Sequence, residues 1–304
     1  MINCRISSFR VLKVISSKRS GVRIMSDPQI ILMTDLDGTL LDHDTFDYQP
    51  VKSFMAQLIN AGIRIIPNSS KTSEELDYFC ADFGQRLPYV SENGAALYNS
   101  DMLLSEDRNE IVGPKILGRP VSELMAVWTC NIPNQLSDQC LFLDETERDN
   151  QSKYLGLNGD ALSRAMKRNY SRPFVFKGTD DEFGALINEV KRLDLNVARG
   201  GRICNLSGPH HKADSISIIR DLVDAQGSEL VIVALGDGDN DITMLESADI
   251  ACVVPRKNQP PLGIDVNNTC QRVIHASRTA PHGWQEAVEM AITFLKSEYR
   301  YSYG

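Results

Sequence analysis

Residues 30–50 read IILMTDLDGTLLDHDTFDYQP, and the fold turns on this stretch. Its first four residues form a continuous apolar run, the pattern of a strand covered on both faces in a parallel sheet. The run ends in Asp35 and Asp37. Residues i and i+2 of an extended segment point the same way, so both carboxylates face one spot, at a cost that something nearby must relieve. Pro50 then opens a helix, with Val51, Phe54, Met55, Leu58 and Ile59 recurring at i, i+3, i+4, i+7 and i+8.

Working outward, the alternation of strand and helix continues. Gly62 ends the first helix and residues 63–66 give a second strand. Thr72 or Ser73 caps a second helix, whose inward face is Leu76, Phe79, Cys80 and Phe83, and residues 88–90 make a short third strand. After about Tyr98 the apolar spacing loses its regularity. It returns near Lys212, with Ile216, Ile219, Leu222 and Val223 on one helix face, buried strands at LVIVAL (230–235) and IACVV (250–254), and a last helix striped with Trp284, Ala287, Val288, Ala291, Ile292 and Leu295. This predicts an α/β fold: a doubly wound parallel sheet interrupted by an inserted domain. The expected division is a core of residues 25–97 and 206–304, an insertion at 98–205, and an extension at 1–24.

The 304 residues suffice for two domains, and an apolar fraction of 42% with 24% charged residues is that of a soluble globular protein. No apolar run reaches the ~18 residues of a membrane span. Seven scattered cysteines, an odd number without any C-x-x-C, predict reduced thiols and a cytoplasmic setting. A net charge of −8 argues against a nucleic-acid surface. Residues 1–24 carry six basic residues and no acid, which leaves −14 on the remainder. That composition suits a transit peptide, but "MSDPQIILMTD" is a natural beginning for the first strand, so a disordered or mis-started extension before Met25 is the favoured expectation.

In an open α/β sheet, ligands bind beyond the carboxyl ends of the strands. The first strand ends in Asp35 and Asp37, and the second in Asn68, Ser69, Ser70 and Lys71. Lys212 precedes a helix, and LGDGDNDITML sets Asp237 and Asp241 after a buried strand. Asp35, Asp237 and Asp241 together hold too much negative charge to sit without a cation. Hard carboxylate oxygens with few histidines nearby suit Mg²⁺.

These residues resemble a known family. DLDGT, SSK, Lys212 and GDGDND are similar to the four motifs of the haloacid dehalogenase superfamily of phosphatases, and the SENGA exit resembles its branch with an inserted α/β cap. TDLDGTLLDHDTFDYQP, SSKTSEE, SENGAA, ARGGR, HHKADS and PHGWQEAV are closer still to its mannosyl-3-phosphoglycerate phosphatase subfamily, over roughly residues 30–295. The resemblance implies that Asp35 is the nucleophile, Asp37 the acid and base, and Ser69 and Lys212 the holders of the phosphoryl group. It implies Mg²⁺ held by Asp35, the backbone carbonyl of Asp37, and Asp237, with Asn240 and Asp241 in support. It also implies a phosphorylated glycosyl-glycerate as substrate, contacted by residues drawn from Ser70, Lys71, Glu92, Asn93, Gly94, Arg199, Gly201 and Arg202. Ile203 and Cys204 stand where an aromatic residue is expected after GGR, and Arg172 where an acid is expected. Both departures bear on the sugar and not on the chemistry.

Rival readings have less support. A signalling receiver lacks both the insertion and the G-D-x-x-N-D loop. A phosphomutase or a general sugar phosphatase shares the motifs and stays open. No P-loop is present, His210 and His211 lack metal-ligand spacing and read as loop residues, and Trp284 reads as core.

Overall fold

The apolar run at residues 30–33 lies in β1 (Gln29–Thr34), an inner strand of a five-stranded sheet. The computed structural model describes residues 13–14, 24–25, 28–104, 113–200, 203–224, 229–260, 262–267 and 269–301. After β1 come α1 (Gln49–Asn60), β2 (Arg64–Pro67), α2 (Ser73–Phe83), β3 (Tyr89–Ser91), β4 (Ala96–Tyr98) and β5 (Lys115–Ile116). Then follow α3 (Val121–Asn131), α4 (Asn134–Ser137), β6 (Cys140–Phe142), α5 (Arg148–Leu155), α6 (Gly159–Ala165), β7 (Ser171–Phe176), α7 (Asp180–Arg192), β8 (Asn196–Gly200) and β9 (Ile203–Ser207). The chain closes with α8 (Asp214–Asp224), β10 (Leu230–Gly236), α9 (Ile242–Ser247), β11 (Ile250–Val253), β12 (Arg272–His275) and α10 (His282–Tyr301).

The main sheet has the order β12-β11-β10-β1-β2, with every pair parallel. Its first strands run outward from β1 in one direction and β10 to β12 run in the other, so the order reverses between β1 and β10. That switch point opens the crevice in which doubly wound sheets bind ligands. The apolar run is continuous because both of its faces are covered. Leu32 packs with Val51, Met55, Leu58, Trp284 and Val288 on one side, while Ile31 and Met33 pack with Ile216, Ile219, Met244 and Leu245 on the other. Each fully buried side chain of this size contributes about 1.5–3 kcal/mol. Trp284 is core as expected, and its Nε1 donates to Thr34 Oγ1 at 3.0 Å, pinning α10 to the end of β1.

The helices follow their sequence signals. Thr72 caps α2 in a reciprocal box with Glu75, and Leu76, Phe79, Cys80 and Phe83 are its buried face. Pro50 occupies the second position of α1, one residue later than predicted, because Gln49 already takes helical geometry after Tyr48.

The irregular middle of the sequence forms a separate antiparallel sheet, β8-β9-β7-β6. A single covered face explains its weak pattern: Trp128, Phe142, Phe174, Leu186, Val190 and Leu206 form its own cluster. The described residues just after 97 keep contact with the core. β4 pairs with both β3 and β5, and Leu103 is buried with Val90, Leu97 and Ile216. Of the N-terminal extension, Lys13–Val14 pairs with Ile24–Met25, and the other residues of 1–24 lie outside the described ones. Among the described residues no helix is long and apolar enough to cross a membrane, and Cys80, Cys130, Cys140, Cys204, Cys252 and Cys270 are unpaired thiols.

Candidate active site

At the switch point the ladder between β1 and β10 runs one bond past the strand, with Asp35 N–H donating to the Leu235 carbonyl at 2.9 Å. The chain then folds tightly on itself, and the N–H groups of Thr39, Leu40 and Leu41 all bond to the Leu36 carbonyl. Gly38 makes this turn feasible. Its φ is +83°, and a Cβ there would lie 2.6 Å from Asp237 Oδ2. Asp35 and Asp237 are therefore brought together by backbone geometry, without which their repulsion would part them.

Oxygens of Asp35, Asp237 and Asp241, all buried, lie within 4.8 Å of one another. Lys212 Nζ sits among them, 2.6 Å from Asp35 Oδ1 and 2.7 Å from Asp241 Oδ1, and is itself fully buried. Asn68 holds that lysine's loop by donating to the Lys212 carbonyl at 2.9 Å. Asp241 Oδ2 accepts the N–H groups of Asp237 and Gly238, and Asp237 Oδ1 accepts the Thr39 hydroxyl at 2.9 Å. Burial drives the Asp35 carboxyl up to about 8. Lys212 pulls it down, and Asp241 and Asp237 push it up again. Asp237 is raised by burial and by Asp241. Burial opposes the charge on Lys212, yet Asp241 and Asp35 hold it above its ordinary value. Lys212 inside the cluster and Arg256 at its edge, 3.9 Å from Asp237 Oδ2, stand against three carboxylates and leave the cluster short of positive charge. A divalent cation fits that deficit and the all-oxygen donor set.

Asp37 is set apart from its neighbour. Its Oδ2 pairs with Lys71 Nζ at 2.8 Å, while its Oδ1 is buried with no hydrogen-bond partner. Asp37 and Lys71 line a cavity of about 590 Å³ walled by the 36–49 loop, by α2, and by α5 and α6 of the middle region. A carboxylate oxygen buried without a partner is costly to the folded state and marks Asp37 as a residue to be explained.

The other expected site residues divide. Ser69, at the end of β2, is buried, and its Oγ accepts the Lys71 N–H at 3.3 Å. Ser70 lines the cavity, and its carbonyl accepts from Arg168 at 3.2 Å. Asn240 is exposed, outside the carboxylate cluster, with its Nδ2 3.5 Å from Asn93 Oδ1. Glu92 does not line the cavity. Its carboxylate accepts the N–H groups of Asn169 and Tyr170 and the Ser171 hydroxyl, so it fastens the middle region to the core. Gly94 packs against the Lys212 loop. Arg199 does not line the cavity either. It pairs with Asp180 at 3.3 Å and lies over the Phe183 ring. Gly201 and Arg202 lie outside the described residues. His210 and His211 stay outside the cluster, on the Glu92 carbonyl and on Asp214. Arg172 is spent on Asp144 and Glu145. Of the residues that sequence reasoning missed, Thr39 was legible inside DLDGT. Nothing in the sequence marked Arg164 and Arg168, which the structure adds to the cavity wall.

Comparison with known proteins agrees with this picture. The model of the haloacid dehalogenase-like hydrolases matches residues 32–111. A glucosyl-3-phosphoglycerate/mannosyl-3-phosphoglycerate phosphatase of Methanococcoides burtonii is 28% identical over 263 residues, 85% of this chain and 95% of that protein. A haloalkanoate superfamily phosphatase structure from Bacteroides thetaiotaomicron aligns with a TM-score of 0.58 at 17% identity, over 91% of this chain and 98% of that one. The sucrose-phosphatase of Synechocystis, solved with sucrose and phosphate, aligns at 0.51 and 14%, over 88% and 98%. The fold is that of these solved phosphatases, and residues 32–111 are similar to the haloacid dehalogenase-like hydrolases. Within that class the chain is similar to the glycosyl-3-phosphoglycerate phosphatase of Methanococcoides.

Proposed function

We propose that this phosphatase hydrolyses mannosyl-3-phosphoglycerate, or a closely related glycosyl-3-phosphoglycerate, to the glycosylglycerate and phosphate through an aspartyl-phosphate on Asp35. The observation that carries the chemistry is the split between the paired aspartates. Asp35 lies among like charges with Lys212, while Asp37 stands in the cavity wall, one oxygen on Lys71 and the other unpartnered. The name of the Methanococcoides relative supports the substrate.

In the first half-reaction an Asp35 oxygen attacks phosphorus and the ester P–O bond breaks. Asp37 gives its proton to the departing alkoxide, so the leaving group emerges as an alcohol. In the second half-reaction Asp37 removes a proton from water, the water oxygen attacks phosphorus, and the bond to Asp35 breaks, which restores the enzyme. Lys212 has three N–H donors and spends two on Asp35 and Asp241. The third is left for a phosphoryl oxygen, together with the Ser69 hydroxyl. Asp35, the Asp37 carbonyl and Asp237 would hold Mg²⁺, with Asp241 and Asn240 behind them. When bound, the ion offsets phosphoryl charge and keeps Asp35 ionised. The middle region, with its antiparallel sheet, is read as a cap that closes the cavity and chooses the substrate.

Phosphate release with Mg²⁺ from mannosyl- and glucosyl-3-phosphoglycerate, compared with plain hexose phosphates, tests the reading. A kcat/KM at least ~10-fold higher for the glycosyl-phosphoglycerates is expected, and Asp35→Asn should abolish release from all of them. A preference for hexose phosphates would overturn the substrate and leave only a general sugar phosphatase.

A further inference from the structure

The leaving group must lie where Asp37 reaches its oxygen, so the cavity that Asp37 lines is its compartment. Most charged groups in the wall are already engaged. Asp82 accepts the Tyr48 hydroxyl, Glu75 accepts the Thr72 N–H in the cap of α2, and Asp47 accepts the Gln49 N–H. Lys71 is paired with Asp37. Arg168 donates from Nε and Nη1 to the carbonyls of Ala165 and Ser70 and to the Ser171 hydroxyl, which ties it to the backbone and leaves only its Nη2 without a partner among the described residues.

Arg164 is different. Its guanidinium lies over the Tyr78 ring with its carbon 3.9 Å from the ring centroid, and among the described residues its side chain has no hydrogen bond and no ion pair. Tyr78 is 56% exposed, an unusual position for so large a ring, and this stacking accounts for it. The backbone is fixed as well, because the Thr72 hydroxyl donates to the Arg164 carbonyl at 2.9 Å, tying the end of α6 to the start of α2. The result is a planar cation held by its face with its donor edge free, in the leaving-group compartment of a chain whose net charge is −8. A carboxylate is the chemical group that such a fork matches in two parallel bonds.

We propose that Arg164, held by Tyr78, binds the carboxylate of the phosphoglycerate leaving group and so selects esters that carry an acid beside the phosphate. This rests on the substrate reading given above. It adds a residue of α6 to the substrate contacts that the resemblance implied.

The test compares three substrates: a glycosyl-3-phosphoglycerate, the matching glycosyl-glycerol phosphate in which a hydroxymethyl replaces the carboxylate, and p-nitrophenyl phosphate. The wild type should favour the acid over the hydroxymethyl analogue by ~10-fold or more in kcat/KM. Arg164→Ala should raise KM for the acid by about that factor, far more than for the other two, and Arg164→Lys should recover part of the loss. Tyr78→Ala should shift KM in the same direction by less. An R164A enzyme that loses equally on all three substrates would make Arg164 a structural residue of α6. If the wild type shows no preference for the acid, the substrate reading and this inference fall together. If the preference survives in R164A, this inference alone falls.

Discussion

Asp37 has one oxygen on Lys71 and the other buried without a partner, a state that adds nothing to stability and suits an acid awaiting its substrate. Asp37→Asn keeps the size of the side chain and removes the proton chemistry. With p-nitrophenyl phosphate, whose leaving group needs no proton, the variant should release about one nitrophenol per enzyme in a burst and then stall. Steady-state turnover should drop by ~10²–10⁴, and mass spectrometry should find the phosphoryl group on Asp35. Steady turnover near the wild-type rate, with no burst, would remove Asp37 from the role of base. The aspartates were legible because D-x-D after an apolar run has a physical meaning even without a fold. Arg164 was not, since an arginine in a short polar helix looks like any solvated residue until the cavity appears beneath it.

The junction between β3 and β4 shows how a whole element is held by one side chain. Glu92 and Asn93 have φ of 47° and 59°, and Gly94 follows at 103°, where a Cβ would fall 2.1 Å from the His211 carbonyl oxygen. This turn aims the buried Glu92 carboxylate at the backbone of residues 169–171. Glu92→Ala would leave the Ser171 hydroxyl and two N–H groups short of an acceptor. The expected loss is about 2–3 kcal/mol in urea unfolding, and Glu92→Gln, which keeps one acceptor, should lose less than half of that. A loss below about 0.5 kcal/mol for the alanine variant would show that the middle region is held elsewhere. Strands with both faces covered were readable from composition alone, as at residues 30–33 and 230–235. The antiparallel strands β6 to β9 were not, because only one face is buried and the apolar residues are interrupted along each strand. β12 was missed for a related reason: Arg272 and His275 are exposed at its ends and only Ile274 is fully buried. Past 97, Leu103 packs with the core cluster and β5 pairs with β4, contacts that the changed sequence pattern did not reveal.

For the molecule as a whole, the carboxylate cluster couples stability to both pH and metal. Without a cation, Asp35 is raised to about 8 by burial, and Asp237 is raised too. Groups raised on folding bind more protons in the folded than in the unfolded state, so their contribution is fully present below the unfolded value and is lost as pH climbs through the folded one. The metal-free protein should therefore lose stability from this source between about pH 4 and 8. A divalent cation binds the ionised carboxylates and competes with those same protons, so its stabilisation should run the opposite way. Melting temperatures at pH 5.5 and 8, each with millimolar Mg²⁺ or with EDTA, measure the difference. The gain from Mg²⁺ should be clearly larger at pH 8, and in Asp237→Asn it should shrink at both pH values. An equal gain at the two pH values would mean that the ion binds somewhere other than this cluster. No gain at either would mean that Lys212, Arg256, the Thr39 hydroxyl and the backbone N–H groups on Asp241 suffice to hold the three carboxylates together without a metal.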